Sequence, residues 1–260
     1  MKNLIALSVI TSVFSSCAFA ETYKNTNDQQ NGKTFGQLMT WVFDGEKDIK
    51  TKVVKKCIEQ AILAPNSSNL QLWEFYHITD ANLIKRIAST CFNQPAAKTA
   101  KQFVIPVVRK DLWKKRIASN VAFIESEHKK SKSKDPKKIK AATSYYQKIL
   151  PKIYGMGNLR GWINSFITNI KGLKKVVYRQ VKKSDMRVVA HKSTALAAQN
   201  FLVSMSGYGY DTCSMEGFDS QRVKIILGLP KTSEISMIIG CGIRTPKGIY
   251  GPRFRVPFDE

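Results

Sequence analysis

The spacing of apolar residues changes several times along the chain, and each change marks an element. From Asp48 to Leu63 they fall at Ile49, Val53, Val54, Cys57, Ile58, Ala61 and Ile62, a helical stripe that Pro65 stops. Trp73 to Ile78 (WEFYHI) has the aromatic and branched content of a strand. Asp80 is a natural N-cap for a helix ending near Cys91, and Pro95 opens a further short helix. Phe103 to Val108 is an unbroken apolar strand. Residues 111–130 read as a helix, and 130–140 (KSKSKDPKKIK) as an exposed break.

Two basic helical pieces follow, separated by Gly155, Gly157 and Gly161. The second carries Leu159, Trp162, Ile163, Phe166, Ile167, Ile170, Leu173 and Val177 at three- and four-residue spacing, with lysines expected on its other face. Asp185 is placed to cap a long apolar helix from Met186 to Ser206, ended by Gly207 and buried on most sides. Asp219 caps another, closed by Gly228-Leu229-Pro230, and Glu234 to Cys241 is a strand. The Gly/Pro-rich tail from Gly242 onward is extended. No internal repeat is visible.

Composition refines this picture. The chain has 260 residues, 43% of them hydrophobic, which suits a globular body with a sizeable core. Its formal charge is +23, and sixteen Lys/Arg against two acids between Glu127 and Lys183 account for +14 of it. The basicity therefore belongs mostly to one insert, about residues 124–183. Three readings stay open for it. It is a helical excursion over the active site with a solvated basic face, an amphipathic helix on an anionic membrane, or a nucleic-acid surface. The last is disfavoured, because charge stands alone without a reading motif.

At the N-terminus, Lys2, an apolar run from Leu4 to Phe14 and Ala18-Phe19-Ala20 have the layout of a signal peptide over residues 1–20. This predicts an exported protein, periplasmic or secreted, with residues 21–34 as a polar tether and a domain from 35 to 260. Phe14-Ser15-Ser16-Cys17 leaves a lipoprotein anchor open, as does a retained hydrophobic segment. None of the five cysteines forms a C-x-x-C pair, which gives no support to zinc or thioredoxin-type chemistry. Cys57 and Cys241 sit in apolar runs and read as core residues.

Three stretches have candidate chemistry. Ala64 to Trp73 (APNSSNLQLW) packs Asn66, Ser67, Ser68, Asn69 and Gln71 between a helix and a strand, with no glycine. Amides and hydroxyls supply donors and acceptors together, which suits a flat polar ligand edge, although such loops also cap their own helices. Cys213 to Asp219 runs from a strand through Gly217 into a capped helix, where backbone N–H groups are open to a ligand. In Gly251-Pro252-Arg253-Phe254-Arg255, Arg253 or Arg255 can pair with a phosphate.

Together and in this order, these blocks resemble the nitroreductase family of FMN-dependent oxidoreductases. The likeness covers about Phe35–Phe123 and Ser184–Val256. It is most specific in Ala64-Pro65-Asn66-Ser67-Ser68-Asn69-Leu70-Gln71-Leu72-Trp73, close to the family's A-P-S-x-x-N-x-Q-P-W with Leu72 in place of proline. Ala195 to Asn200, Met215 to Asp219 and Gly240-Cys241-Gly242 through Arg253 match later blocks. The insert also looks like one found in a subgroup of the family.

The resemblance implies an α+β fold: a three-layer α/β/α sandwich with a mostly antiparallel sheet, made as an intertwined homodimer with a C-terminal arm reaching across. It implies FMN at the interface, NAD(P)H as co-substrate, and an organic acceptor such as a nitroaromatic or quinone. Ser67, Ser68, Asn69 and Gln71 would hold the ribityl chain and pyrimidine edge. Glu216 and Gly217 would offer backbone N–H near flavin N5, and Arg253 would reach the phosphate. No catalytic side chain is required, because the flavin carries the chemistry.

One departure matters. Where the family has Arg-Arg-Ser-x-Arg before the first helix, this chain has Gln37-Leu38-Met39-Thr40-Trp41. Losing two charge-assisted phosphate contacts of about 1.5–3 kcal/mol each weakens binding by about a hundredfold or more. Lys33, Lys47 and Lys192 are the candidate replacements. A second reading therefore keeps the scaffold without tight flavin binding, as an exported, membrane-associated binding protein.

Overall fold

In the computed structural model, residues 42–131, 135–155, 157–246, 248–249 and 256–259 are described. The expectations for residues 1–41, including the signal peptide, the tether and the Gln37–Trp41 stretch, lie outside them, as do Arg253 and Arg255.

The helices are α1 (Thr51–Ala61), α2 (Ala81–Ala88), α3 (Pro95–Thr99), α4 (Trp113–Lys130), α5 (Pro136–Ser144), α6 (Leu150–Tyr154), α7 (Asn158–Lys171), α8 (Lys183–Gly207) and α9 (Ser220–Ile226). The strands are β1 (Trp73–Ile78), β2 (Gln102–Val108), β3 (Asp211–Met215), β4 (Glu234–Ile235) and β5 (Ile238–Gly242). The sheet order is β1-β2-β5-β3, with β4 also on β2 and every pairing antiparallel.

β2 is buried along its whole length, as its unbroken apolar run predicts, because helices cover both faces. Phe103, Ile105 and Val107 face Ile87, Ala96, Ala97 and Val223 of α2, α3 and α9. Val104 faces the other way, toward Val54, Cys57 and Ala61 of α1 and Ala198, Phe201 and Met205 of α8. The result is the expected three-layer α/β/α sandwich of the α+β class. Cys57, Cys91, Cys213 and Cys241 are buried free thiols.

Several expectations are corrected. The Glu234–Cys241 strand is split into β4 and β5. Between the pairs Val107–Ile235 and Val104–Ile239, two residues of β2 face three, which is a bulge. Pro106 lies at that point and has no N–H to give, and its carbonyl still accepts from Ser236 N–H at 3.0 Å. The supposed break at 130–140 is shorter, because Asp135 caps α5 (Oδ1 accepts Lys137 N–H at 2.9 Å) and Pro136 takes its first position.

Asp185 is not the cap of α8. The helix starts at Lys183, and the Asp185 carboxylate turns back to accept Lys182 N–H at 2.8 Å. Nor is α8 buried on most sides, since Val188 and Leu196 stay exposed. Gly161 is no separator but a buried position inside α7, where a Cβ would sit 3.3 Å from the Lys182 Cα. Asp80 and Asp219 cap α2 and α9 as predicted.

Candidate functional site

The polar loop lies between α1 and β1 and is bent by unusual backbone. Ser68, Asn69 and Gln71 all take left-handed φ, at 56°, 49° and 46°. Asn66 holds the bend: its Oδ1 accepts Gln71 N–H at 2.8 Å and its Nδ2 donates to Ala64 O at 3.3 Å. Ser67 N–H donates to Ser193 Oγ of α8 at 3.3 Å. Beneath it, Ala64, Trp73 and Ala197 form a small buried cluster.

The other non-glycine residues with left-handed φ, among those described, are Phe92 (49°) and Asn93 (60°). They form the α2–α3 turn, beside the second predicted stretch. Gln94 Nε2 donates to Gly217 O at 2.5 Å, and Asp219 N–H donates to Thr90 O at 2.9 Å. A Cβ on Gly217 would lie 3.0 Å from Gln94 Nε2 and 3.9 Å from the Phe92 ring, a close fit for which the Gln94 amide would have to give way. Glu216 and Gly217 are exposed, as is the Phe92 side chain. Backbone strain of this kind persists where the surroundings enforce it and gathers at functional sites. Here every instance falls in these two loops.

The antiparallel order puts both loops at the same end of the sheet, one entering β1 and the other leaving β3. These are opposite edge strands. Three strand spacings separate them, about 14 Å. One protomer therefore does not bring Ser67–Gln71 and Glu216–Gly217 side by side.

Helix α4 and the insert that follows it supply residues that the sequence did not single out. Asn69 Nδ2 donates to Asn120 Oδ1 at 3.0 Å, and Asn120 Nδ2 returns a bond to Asn69 O at 2.9 Å. Gln71 Nε2 donates to Asn69 Oδ1 at 3.2 Å. Ser68 Oγ and Tyr145 OH are 2.7 Å apart, and Tyr146 OH donates to Ser68 O at 3.0 Å. Ile117 and Leu150 share a buried cluster with Leu70, Leu72 and Val108, lined by Tyr146 and Tyr154. Burial pushes Tyr154 up to about 12, so it stays a neutral phenol. The insert thus packs directly against the loop, as its reading as a helical excursion expects. The aromatic run Tyr145, Tyr146 and Tyr154 in an otherwise basic stretch was the available signal.

This end of the molecule is cationic. Arg109 is occupied by its own acids, Glu74 and Asp111, which hold its pKa above the usual value. Arg187 and His191 share Glu234, the latter at 3.1 Å; burial works against that carboxylate, but these two bonds keep it below its ordinary range. Burial depresses the Lys110 amine, with Lys183 and Arg187 adding to the effect against Glu234. Arg116, one helical turn before Asn120, has a buried Nε with no partner within the structure. A buried unpaired guanidinium N–H is costly.

Family comparison matches this architecture: the nitroreductase family model covers residues 42–243. The chain belongs to the nitroreductase family. The protein DrgA of Synechocystis sp. is similar, 26% identical over 203 residues and 78% of each chain. Among solved structures, a nitroreductase family protein from Streptococcus pneumoniae shares the fold at a TM-score of 0.60 and 20% identity, over 89% of this chain and 96% of that one. A nitroreductase-type structure from Exiguobacterium sibiricum in complex with FMN superposes at 0.59 and 18% identity, over 93% and 94%. In this member of the family, the most specific motif is the strained loop itself.

Proposed function

We propose that the protein is an exported, homodimeric, FMN-dependent oxidoreductase that passes electrons from NAD(P)H to a small organic acceptor, such as a nitroaromatic or quinone. The observation that carries this reading is the coincidence of strain and chemistry. Three of the five described left-handed non-glycine residues lie in the polar motif loop, and the other two lie in the α2–α3 turn that packs beside Gly217 of the second motif. Bound FMN supplies the hydride and electron-transfer chemistry; the chain supplies binding, orientation and electrostatics.

In this reading, Ser67, Ser68, Asn69 and Gln71 meet the ribityl chain and pyrimidine edge. Glu216 and Gly217 present backbone N–H near N5, and Arg253 reaches the phosphate. The donor set fits the group, since the amides offer both kinds of partner and the orphaned Arg116 Nε offers a cation. Phe92 supplies an exposed aromatic face beside Gly217 for the acceptor. The gap between the loops makes the second subunit part of the site, with each polar loop facing the partner's Glu216–Gly217 turn. Export rests on the Leu4–Phe14 run and the Ala18-Phe19-Ala20 site.

The deciding experiment starts with the absorbance spectrum of the purified protein, followed by fluorescence-quenching titration with FMN and riboflavin. Wild type binds FMN more weakly than is usual for the family, for want of arginines at 37, 38 and 41. Asn69→Ala and Arg116→Ala weaken both flavins alike, by about tenfold, since each acts at the ring end. Gln37→Arg with Leu38→Arg tightens FMN and leaves riboflavin unchanged. A wild type that binds neither flavin at high micromolar concentration, with no recovery in the arginine variant, refutes the enzyme. The tyrosine-sealed loop then marks a scaffold that has lost its flavin.

A further inference from the structure

Helix α7 is inside out. Its inward side is Gly161, which is buried, with Asn164, Ser165 and Thr168 half-buried beside it. Its outward side is Leu159, Trp162, Ile163, Phe166, Ile167 and Ile170, continued by Leu173. Leu159, Trp162 and Phe166 are 76%, 67% and 68% exposed. The lysine face expected from the sequence is absent: the residues opposite the apolar stripe are small and uncharged, and they pack on the body. Gly161 eases that approach, because a Cβ there would sit 3.3 Å from the Lys182 Cα, tighter than ordinary contact.

In sequence the stripe is flanked by cations instead: Lys148 and Lys152 precede it, Arg160 and Lys171 lie within the helix, and Lys174, Lys175, Arg179, Lys182 and Lys183 follow. Lys182 Nζ sits 4.3 Å from the centroid of the Trp162 ring, so the cation and the aromatic edge share one surface. A contiguous exposed apolar strip of this size marks an interaction surface, not ordinary exposure. Its length, about 21 Å, is that of a helix lying in a surface plane.

We infer that this face docks on an anionic lipid bilayer, with the apolar stripe among the acyl chains and the rim lysines at the headgroups. The charge selects this occupant. The stripe belongs to a segment carrying +14, and a second copy would press another such segment against it, whereas an anionic surface neutralises it. Trp162 and Phe166 are residue types that settle at the boundary between headgroups and acyl chains. Among the described residues no helix is long and apolar enough to cross a membrane, so the contact is peripheral. It stands apart from the flavin reading, because no α7 side chain takes part in the proposed flavin site.

The test is site-specific, so that the apolar run at Leu4–Phe14 does not obscure it. The full chain is mixed with vesicles of phosphatidylcholine alone, or of phosphatidylcholine and phosphatidylglycerol, each carrying brominated acyl chains. Trp162 fluorescence is read as the difference between wild type and Trp162→Phe. Quenching of that difference signal on anionic vesicles, weaker on neutral ones, is the expected result. Phe166→Ser with Ile170→Ser, both facing outward, lowers vesicle-bound protein about tenfold, as does Lys174→Glu with Lys175→Glu. Unchanged circular dichroism shows that the variants fold. No quenching of Trp162 by anionic vesicles overturns the inference. So does sedimentation showing that Phe166→Ser with Ile170→Ser converts a dimer to a monomer, since the stripe then covers a second copy.

Discussion

His77 shows how one side chain ties three elements together. Its Nε2 lies 2.7 Å from Gln102 Oε1, while Gln102 Nε2 donates to Ile49 O at 3.1 Å and Thr51 Oγ1 at 3.2 Å. With that amide turned so, the imidazole is the donor. Burial lowers the His77 pKa; the Gln102 bond opposes that, and Lys55 adds to it. The unfolded chain therefore takes up a proton at a pH where the folded one resists it. Stability from this group is full above the unfolded value of about 6.5 and is lost as pH falls toward the lowered folded value. Urea midpoints at about pH 7.5 and about pH 5.5 measure it. Wild type loses more on acidification than His77→Gln, which keeps a donor for Gln102 without a titrating ring. Equal losses would show that other groups carry the acid sensitivity.

At the scale of elements, the caps at Asp80 and Asp219 were written locally and read correctly, whereas Asp135 before Pro136 was passed over and Asp185 sits inside its helix, not at its cap. Asp219 Oδ1 accepts N–H from Gln221 and Arg222, both at 3.1 Å, and this cap also ends the Glu216–Gly217 turn. Asp219→Ala should cost about 1 kcal/mol, and Asp219→Asn much less. Chemical denaturation compares them, and identical midpoints would mean that the cap does not hold α9. What local reading missed depended on neighbours. The β4–β5 bulge comes from Pro106 on another strand, and the inverted face of α7 comes from where the Val181–Lys183 backbone lies.

For the whole molecule, the open question of assembly falls on α8. Its stripe of Val188, Lys192, Ala195, Leu196, Gln199 and Asn200 is exposed, while its opposite side fills the core. The exposed Ile62 and Leu63 lie at the end of α1, the helix packed on α8. In the dimeric reading proposed above, this is the surface that meets the partner. Leu196→Asp should give a folded monomer in sedimentation velocity, and flavin binding should fall with the dimer. A Leu196→Asp dimer with full flavin binding would move the interface elsewhere.

The sequence by itself determined the main elements and the polar character of the loop, and its resemblance to the family implied the layers. A buried strand needs an unbroken apolar run, as in Phe103–Val108, and a helix on a sheet needs a stripe, as in Asp48–Leu63. These patterns depend on each residue's near neighbours, so they can be read along the chain. Asn66, Ser67, Ser68, Asn69 and Gln71 marked a polar loop by their density, while the use of Asn66 to brace that loop is seen only in the fold. Only the tertiary structure decided that Tyr145, Tyr146 and Asn120 seal this loop, and that Phe92 and Asn93 share its strain. It also decided that Arg116 is left unpaired. Each of these depends on contacts between residues tens of positions apart, and on burial. Apolar spacing fixes which face of a helix is apolar, but not which way that face points. That is why the stripe of α7 was legible and its outward direction was not.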